Sequence, residues 1–411
     1  MLLYIHIPFC KGKCGYCDFF SENPRDVFRG SSFTMRDYIE AVSNQIGFLV
    51  SRFDVKNFSS VYIGGGTPSI LGEAELEMLC ASIKSLSATL LHDAEFTIEA
   101  NPESVTEEFL KAAQLGGANR LSLGIQCADD GVLKSVGRRT NRAQILEAVR
   151  LIKKFWQGQW CADFIAGLPF QTKRMLHDDL NFAFQNGAAH ISLYALSLEE
   201  GTPLEKKVSS GALNYDADFA DELWLFGRDI LEKLGFSQYE ISNFALPGHE
   251  SRHNGGYWRM CDYLGVGAGA VGTIWFGNGN PCFEKKSAHE KNGVRFSNTR
   301  NIKEYVEFWK QFKWKCAGEI PDFPGELEPI DLQTEEKEFL MMGFRTTRGV
   351  GENEYRARFG KNLAERLGAK SGTFEKWREK KLALVRQKNG ETFYSLSREG
   401  LLFLNRFLLE L

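Results

Sequence analysis

Short, β-branched, continuously apolar runs alternate with longer stretches of helical period over the first two-thirds of the chain. Strands are predicted at Leu2–Pro8, Ser60–Gly64, Glu95–Ala100, Arg120–Gln126, Ala162–Ala166 and Ile191–Leu196. Between them, apolar positions recur at helical spacing over Met35–Phe53, Glu73–Leu86, Thr106–Gln114, Arg142–Phe155 and Leu176–Asn186. Thr106 and Asn141 stand where N-caps belong, and Glu108 falls in a first turn. The strands read as apolar throughout rather than alternating, which is the pattern of strands covered on both faces. Strand-then-helix repeats of this kind imply parallel strands joined by right-handed crossovers. The expected fold class is α/β, and a closed or partly open (βα)6 barrel of TIM type suits it better than a flat sheet.

After about residue 200 the alternation stops. A helix near Asp216–Leu234 leads to Gln238–Phe244 and then to a glycine-rich stretch, Tyr263–Gly279. The Pro- and acid-rich segment Glu319–Leu332 reads as a linker. Beyond it come helical patterns, a hairpin turning at Lys388–Gly390 and a terminal amphipathic helix, the order of a small winged-helix-like α+β domain. The expected organisation is a barrel with its extension over 1–275, a connecting region over 276–332 and a C-terminal domain over 333–411.

Composition adds boundaries. The 411 residues are 43% hydrophobic and 25% charged, as in globular proteins, and the net charge of −3 gives no electrostatic case for nucleic acid. No apolar run is long enough to span a bilayer, so at most a peripheral membrane contact is expected. The N-terminus lacks the basic region and cleavage site of a signal peptide, and the cytoplasm is the expected location. Of nine cysteines, six are scattered (Cys80, Cys127, Cys161, Cys261, Cys282, Cys316) and are expected to be buried small hydrophobes.

The other three cluster. Cys10, Cys14 and Cys17 form C-x3-C-x2-C directly after the first strand. Three thiolates so spaced can hold three irons of a [4Fe–4S] cubane and leave the fourth without a protein ligand. The amine and carboxylate of S-adenosylmethionine (SAM) can chelate that iron, and electron transfer from the cluster then cleaves SAM to a 5′-deoxyadenosyl radical. A zinc site using His6 as fourth ligand is the competing reading. Other polar residues fall at the C-terminal ends of the strands, the ligand edge of parallel α/β folds: Gly64–Thr67, Glu99, Gln126, Asp163 and Tyr194. The glycines would let backbone carbonyls approach the SAM amine, and Glu99 would accept further hydrogen bonds. Arg138 or its neighbour Arg139 would pair with the SAM carboxylate. Asp163, a costly charge within an apolar strand, would be satisfied by ribose hydroxyls.

The run Tyr4-Ile-His6-Ile-Pro-Phe-Cys10…Cys14-Gly-Tyr16-Cys17-Asp18-Phe19, with Gly64-Gly-Gly-Thr-Pro68, Gln126 and Asp163…Gly167-Leu168-Pro169, resembles the HemN/HemW family. Its members are oxygen-independent coproporphyrinogen III oxidases and their heme-chaperone relatives. The likeness extends over nearly the whole chain and implies a partial radical-SAM barrel followed by a C-terminal domain. It makes Cys10, Cys14 and Cys17 the cluster ligands. Tyr4, Gly65, Gly66, Thr67, Glu99, Gln126, Arg138 and Asp163 become the SAM-contacting set, joined by Tyr16 and by Ala195 beside Tyr194. His6 is placed near the cluster.

Within that family, Asp18-Phe19 after the third cysteine and the short N-terminus resemble the HemW branch, since the oxidases tend to carry a further cysteine and a longer arm. Glu338–Arg345 resembles the HemW-type C-terminal domain, and His253-Asn254-Gly-Gly-Tyr257-Trp258 matches its H-N-x-x-Y-W motif. His253 is therefore a candidate heme ligand; the other reading has it orient its loop while the aromatics pack in the core. The implied function is SAM and heme binding with heme delivery. A porphyrinogen oxidase, or another radical enzyme acting on tetrapyrroles, is the alternative. The implied partners are SAM, heme or porphyrinogen, a reductant such as flavodoxin or ferredoxin, and an acceptor hemoprotein.

Overall fold

The structure, a computed structural model, describes residues 1–86, 88–276, 292–312, 324–368 and 372–411. Six parallel strands lie side by side in chain order: β1 (Leu2–Ile7), β2 (Asn57–Gly65), β3 (Thr89–Ala100), β4 (Arg120–Gln126), β5 (Gln159–Ala166) and β6 (His190–Ala195). Every residue of β4 but the last is buried, as its unbroken apolar run implies. Helices return the chain between strands. Thr34 and Asn141 each close a capping box on the helix they open, and the Thr106 hydroxyl accepts the Phe109 N–H.

Side chains from all six strands line one internal cavity, so the sheet is curled around a lumen. It is not closed, because β1 and β6 do not pair. The β6 edge carries two short strands, β7 (Ser237–Gln238) and β8 (Asn243–Ala245), with β8 antiparallel to β6. On the other edge β1 pairs in parallel with β9 (Tyr263–Val266). An antiparallel run follows through β10 (Val271–Trp275), β11 (Gly293–Asn298) and β12 (Gly325–Ile330).

Thus the region read from sequence as a connection between 276 and 332 supplies two strands of the main sheet and a helix, Ile302–Gln311, packed on Met35–Arg52. Of the expected linker, Glu319–Phe323 lies outside the described residues, and Gly325–Ile330 is the edge strand β12. Its run Glu-Leu-Glu-Pro is almost wholly exposed, with Pro329 at the sheet margin, a place where a missing donor does no harm. Composition alone therefore looked like a linker.

The C-terminal unit has its own sheet, β13 (Val350–Gly351), β14 (Ala383–Lys388) and β15 (Glu391–Leu396), in the order β13-β15-β14. The hairpin turns at Asn389 and Gly390, both left-handed (φ 51° and 77°), as a tight two-residue turn requires. Its core, around Phe344, Tyr355, Phe374 and Phe407, reaches back to Met260 and Trp275 of the extension. Among the described residues no helix is long and apolar enough to cross a membrane.

Candidate functional site

The cysteine loop is held at both ends and in the middle. Its base closes through Cys10 N–H to the Glu22 carbonyl (3.0 Å) and Glu22 N–H to that of Pro8 (2.9 Å). At its centre Gly15 donates to the Val136 carbonyl (2.7 Å) and accepts from the Leu204 N–H (2.8 Å). Near its end, His6 Nε2–H donates to the Phe20 carbonyl (2.9 Å), leaving Nδ1 to accept the Tyr4 hydroxyl (2.8 Å). Burial lowers the pKa of His6 and keeps this ring neutral. The three thiols stay half-exposed, and burial pushes the pKa of the Cys17 thiol up to about 11.

Three glycines end β2, and each makes room for something. A Cβ at Gly64 would fall 2.8 Å from the Glu99 carboxylate; at Gly65 (φ +108°), 2.3 Å from the His6 ring; at Gly66, 2.6 Å from the Phe9 carbonyl. The Gly66 and Thr67 amides then donate to the Ile7 and Phe9 carbonyls (2.9 and 2.8 Å), pinning this turn to the chain entering the cysteine loop.

Between the loop and the strand ends runs a polar bracket. The Thr67 hydroxyl lies 3.3 Å from Cys10 Sγ and accepts from Asn101 Nδ2 (2.9 Å). Asn101 Oδ1 accepts from Arg138 Nη2 (2.9 Å), and Arg138 Nη1 donates to Cys14 Sγ (3.6 Å) and to the Tyr16 hydroxyl (3.3 Å). Arg139 lies against Gly12 and borders the same cavity as Arg138.

These groups wall a cavity of about 390 Å3 with Gly65, Gly66, Glu99, Gln126, Asp163 and Ala195 among its lining residues. Glu99 accepts from the Tyr62 hydroxyl (2.6 Å) and the Gly65 amide (3.0 Å). Burial nevertheless lifts its pKa to about 7, with the Asp163 charge adding to the rise. Asp163 is raised by burial too; its Oδ2 accepts from Ser122 (2.7 Å), while Oδ1 is buried with no partner. Gln126 sits at a break in the β4–β5 register with φ +65°, and the Cys127 N–H bonds back to the Ile125 carbonyl (2.8 Å) across it. Such a backbone costs about 1–3 kcal/mol and is typical of functional sites. Tyr194, at the strand end, stays 44% exposed at the rim.

Not every expected residue joins this cavity. Tyr4 and His6 line a neighbouring one instead, with Tyr4 bordering the lumen as well; strand alternation places them together, and the β1 register opposite Tyr62 and Gly64 sets them behind the glycine turn. His253 lies in the lumen, 2% exposed. Its Nδ1 meets Ser60 Oγ (2.8 Å) and its Nε2 the Tyr257 hydroxyl (2.9 Å), so both nitrogens are engaged, and burial drops its pKa to about 3. Glu95 fixes the helix that carries it, accepting from Ser251 Oγ and the Arg252 and His253 amides. Tyr62 and Ser122 escaped the sequence reading because inward-facing polar residues in strands buried on both faces leave no periodic trace, and Asn101 because it stands just after β3 with no motif around it. Of the scattered cysteines, Cys80, Cys127 and Cys161 are buried, Cys261 is half-exposed, and Cys282 and Cys316 lie outside the described residues.

Residues 4–183 match the radical SAM superfamily. The heme chaperone HemW of Lactococcus lactis is 32% identical over 370 residues, covering 89% of this chain and 87% of its own length. The chain belongs to the HemW family. Heme chaperone HemW of Synechocystis is similarly close, 35% identical over 357 residues, 84% of this chain and 78% of that protein. Among solved structures, coproporphyrinogen III oxidase (HemN) from Escherichia coli shares the fold, with a TM-score of 0.75 over 99% of this chain and 89% of that one at 17% identity.

Membership of the radical SAM superfamily implies a [4Fe–4S] cluster and SAM, and the donor set fits them. Among the described residues no three His, Cys, Asp or Glu converge on a cage for a single ion, and His6 has no nitrogen to give. Three separate thiols suit a cubane, whose irons lie apart. Beside them the cavity offers an unpartnered carboxylate oxygen on Asp163 and an unpartnered Nε on Arg138, an acceptor and a cation for a ligand bearing hydroxyls and a carboxylate.

Proposed function

We propose that Cys10, Cys14 and Cys17 hold a [4Fe–4S] cluster, that SAM occupies the adjoining cavity, and that this protein, like the heme chaperones it is similar to, handles heme, binding it and passing it to hemoproteins. When bound, the cluster supplies low-potential electrons and an open iron. The chain's own residues orient SAM: Asp163 Oδ1 takes a ribose hydroxyl, and Glu99 with the glycine turn meets the methionine end. The Arg138 guanidinium faces its carboxylate. We place the protein in the cytoplasm, served by a flavodoxin- or ferredoxin-like reductant.

The observation that favours heme handling over porphyrinogen oxidation is the size of the lumen behind the SAM cavity. It is about 220 Å3, with Tyr4, Tyr62, Tyr194, Tyr239, His190 and His253 among its lining residues. A four-ring macrocycle with its substituents does not fit there. A groove of about 500 Å3 opens instead beside the cysteine loop. Phe19 (67% exposed), Phe20, Tyr257 and Trp258 line it, with Arg300 at its margin. Planar aromatic walls and a cation suit a porphyrin with propionates.

The test is anaerobic reconstitution followed by dithionite, SAM and coproporphyrinogen III. We expect no protoporphyrinogen, a Soret shift on adding hemin, and transfer of that hemin to an apo-hemoprotein. Formation of protoporphyrinogen would establish the oxidase instead.

A further inference from the structure

The bracket that joins two of the three cysteine thiols carries an inference of its own, resting on the cluster reading above. Arg138 can only donate, so the Asn101 atom 2.9 Å from its Nη2 must be the carbonyl oxygen. That fixes the amide, and the Asn101 atom facing Thr67 Oγ1 at 2.9 Å is the NH2 group. Thr67 therefore accepts from Asn101, and its own proton is free to point elsewhere. The remaining neighbour, 3.3 Å away, is Cys10 Sγ, which as a cluster-bound thiolate has no proton to offer. The direction of every hydrogen bond from Arg138 to Cys10 is thus set by one side chain.

We infer that Asn101 is a positioning residue for the cluster: it aims the Thr67 hydroxyl at Cys10 and the Arg138 guanidinium at Cys14, so that two of the three ligand sulfurs each receive a hydrogen bond. Donors to ligand sulfur stabilise the reduced cluster and raise its potential. Polarity is the sensitive point. In Asn101→Asp the carboxylate still accepts from Arg138, but it now competes for the Thr67 proton. The hydroxyl turns away from Cys10 although almost nothing has changed in shape.

The experiment is an EPR-monitored redox titration of reconstituted protein. Thr67→Val should shift the cluster midpoint negative, Asn101→Asp should shift it further because its charge adds to the lost hydrogen bond, and the double variant should go no further than Asn101→Asp alone. Thr67→Ser should restore the wild-type value. Asn101→Leu, which gives Thr67 no competing acceptor and leaves Arg138 Nη2 on the Gly124 carbonyl (2.5 Å), should shift it less than Asn101→Asp. An unshifted Asn101→Asp beside a shifted Thr67→Val overturns the inference, as does an additive double variant. Should a variant take up no cluster, timed iodoacetamide labelling of the apo-protein reads the same bracket. Cys10 should label more slowly in Asn101→Asp and Thr67→Val alike, because a thiolate that loses its donor is less populated, while Cys14 keeps its wild-type rate, and unchanged or equally changed labelling at both cysteines overturns it. A wild-type protein that binds no cluster would sink the cluster reading itself, a different result from any of these.

Discussion

The cysteine cavity and the lumen beneath it share walls, Glu99, Ser122, Asp163 and Tyr194 among them, yet they are finished to different degrees. In the lumen, polar side chains answer one another: His253 with Ser60 and Tyr257, and His190 Nε2 with the Tyr239 hydroxyl. In the upper cavity three half-exposed thiols line the wall, one oxygen of Asp163 and one nitrogen of Arg138 lack partners, and the backbone at Gln126 is strained. Both regions hold histidine, tyrosine or cysteine that a motif search would mark. What separates a binding site from a polar core here is the half-exposed thiols and the strained backbone at Gln126, since each region also keeps buried polar atoms without a partner. The atoms left over in the lumen, Thr97 Oγ1 and His190 Nδ1, face a space suited to ordered water.

Four changes would break or sharpen that contrast. The largest effect is expected from Cys14→Ala, which should abolish the cluster absorbance after reconstitution. Next, His253→Ala should lower unfolding free energy by about 2–4 kcal/mol, because it strands the Ser60 and Tyr257 hydroxyls and opens a cavity. Cluster content and the hemin Soret shift should be kept; loss of the Soret shift would move His253 back to the iron.

Glu99, on the shared wall, gives a pH signature. Its folded pKa, about 7, lies above the ordinary 4.5, so the native state holds the proton more tightly than the unfolded state. Stability is then greatest below pH 4.5 for this group, falls as pH rises between 4.5 and 7, and is level above. The full change is on the order of 3 kcal/mol. Glu99→Gln should flatten that slope in urea titrations taken across the window, and an unchanged slope would show the carboxyl to be ionised throughout. The smallest effect is expected from Thr97→Val. Replacing an unpartnered hydroxyl by a methyl should leave stability within about 1 kcal/mol of wild type, whereas a larger loss would reveal a bound water that the hydroxyl holds.

The six parallel strands and their helices were legible from sequence because strands buried on both faces write unbroken apolar runs, and because Thr106 and Asn141 announce their helices. The cysteine motif was legible because its spacing is local. Three things were not. β12 hid in an exposed, proline-bearing edge strand. Tyr4 and His6 belong to the same strand as the cysteine motif, but a register relation to β2, invisible in one chain, puts them behind the glycine turn. Asn101 follows β3 with no pattern to mark it; only its meeting with Thr67 and Arg138, from two other strand ends, gives it a role.

The fastening of Gly15 has a consequence for how the protein is loaded. That residue is tied at once to Val136, beyond β4, and to Leu204, beyond β6, so the middle of the cysteine loop is held by the barrel rather than by iron. A chain that must order such a loop on binding spends roughly 1–2 kcal/mol of backbone entropy per residue; much of that is settled when the barrel folds. Taking up a cluster would then ask little further ordering of the middle of the loop.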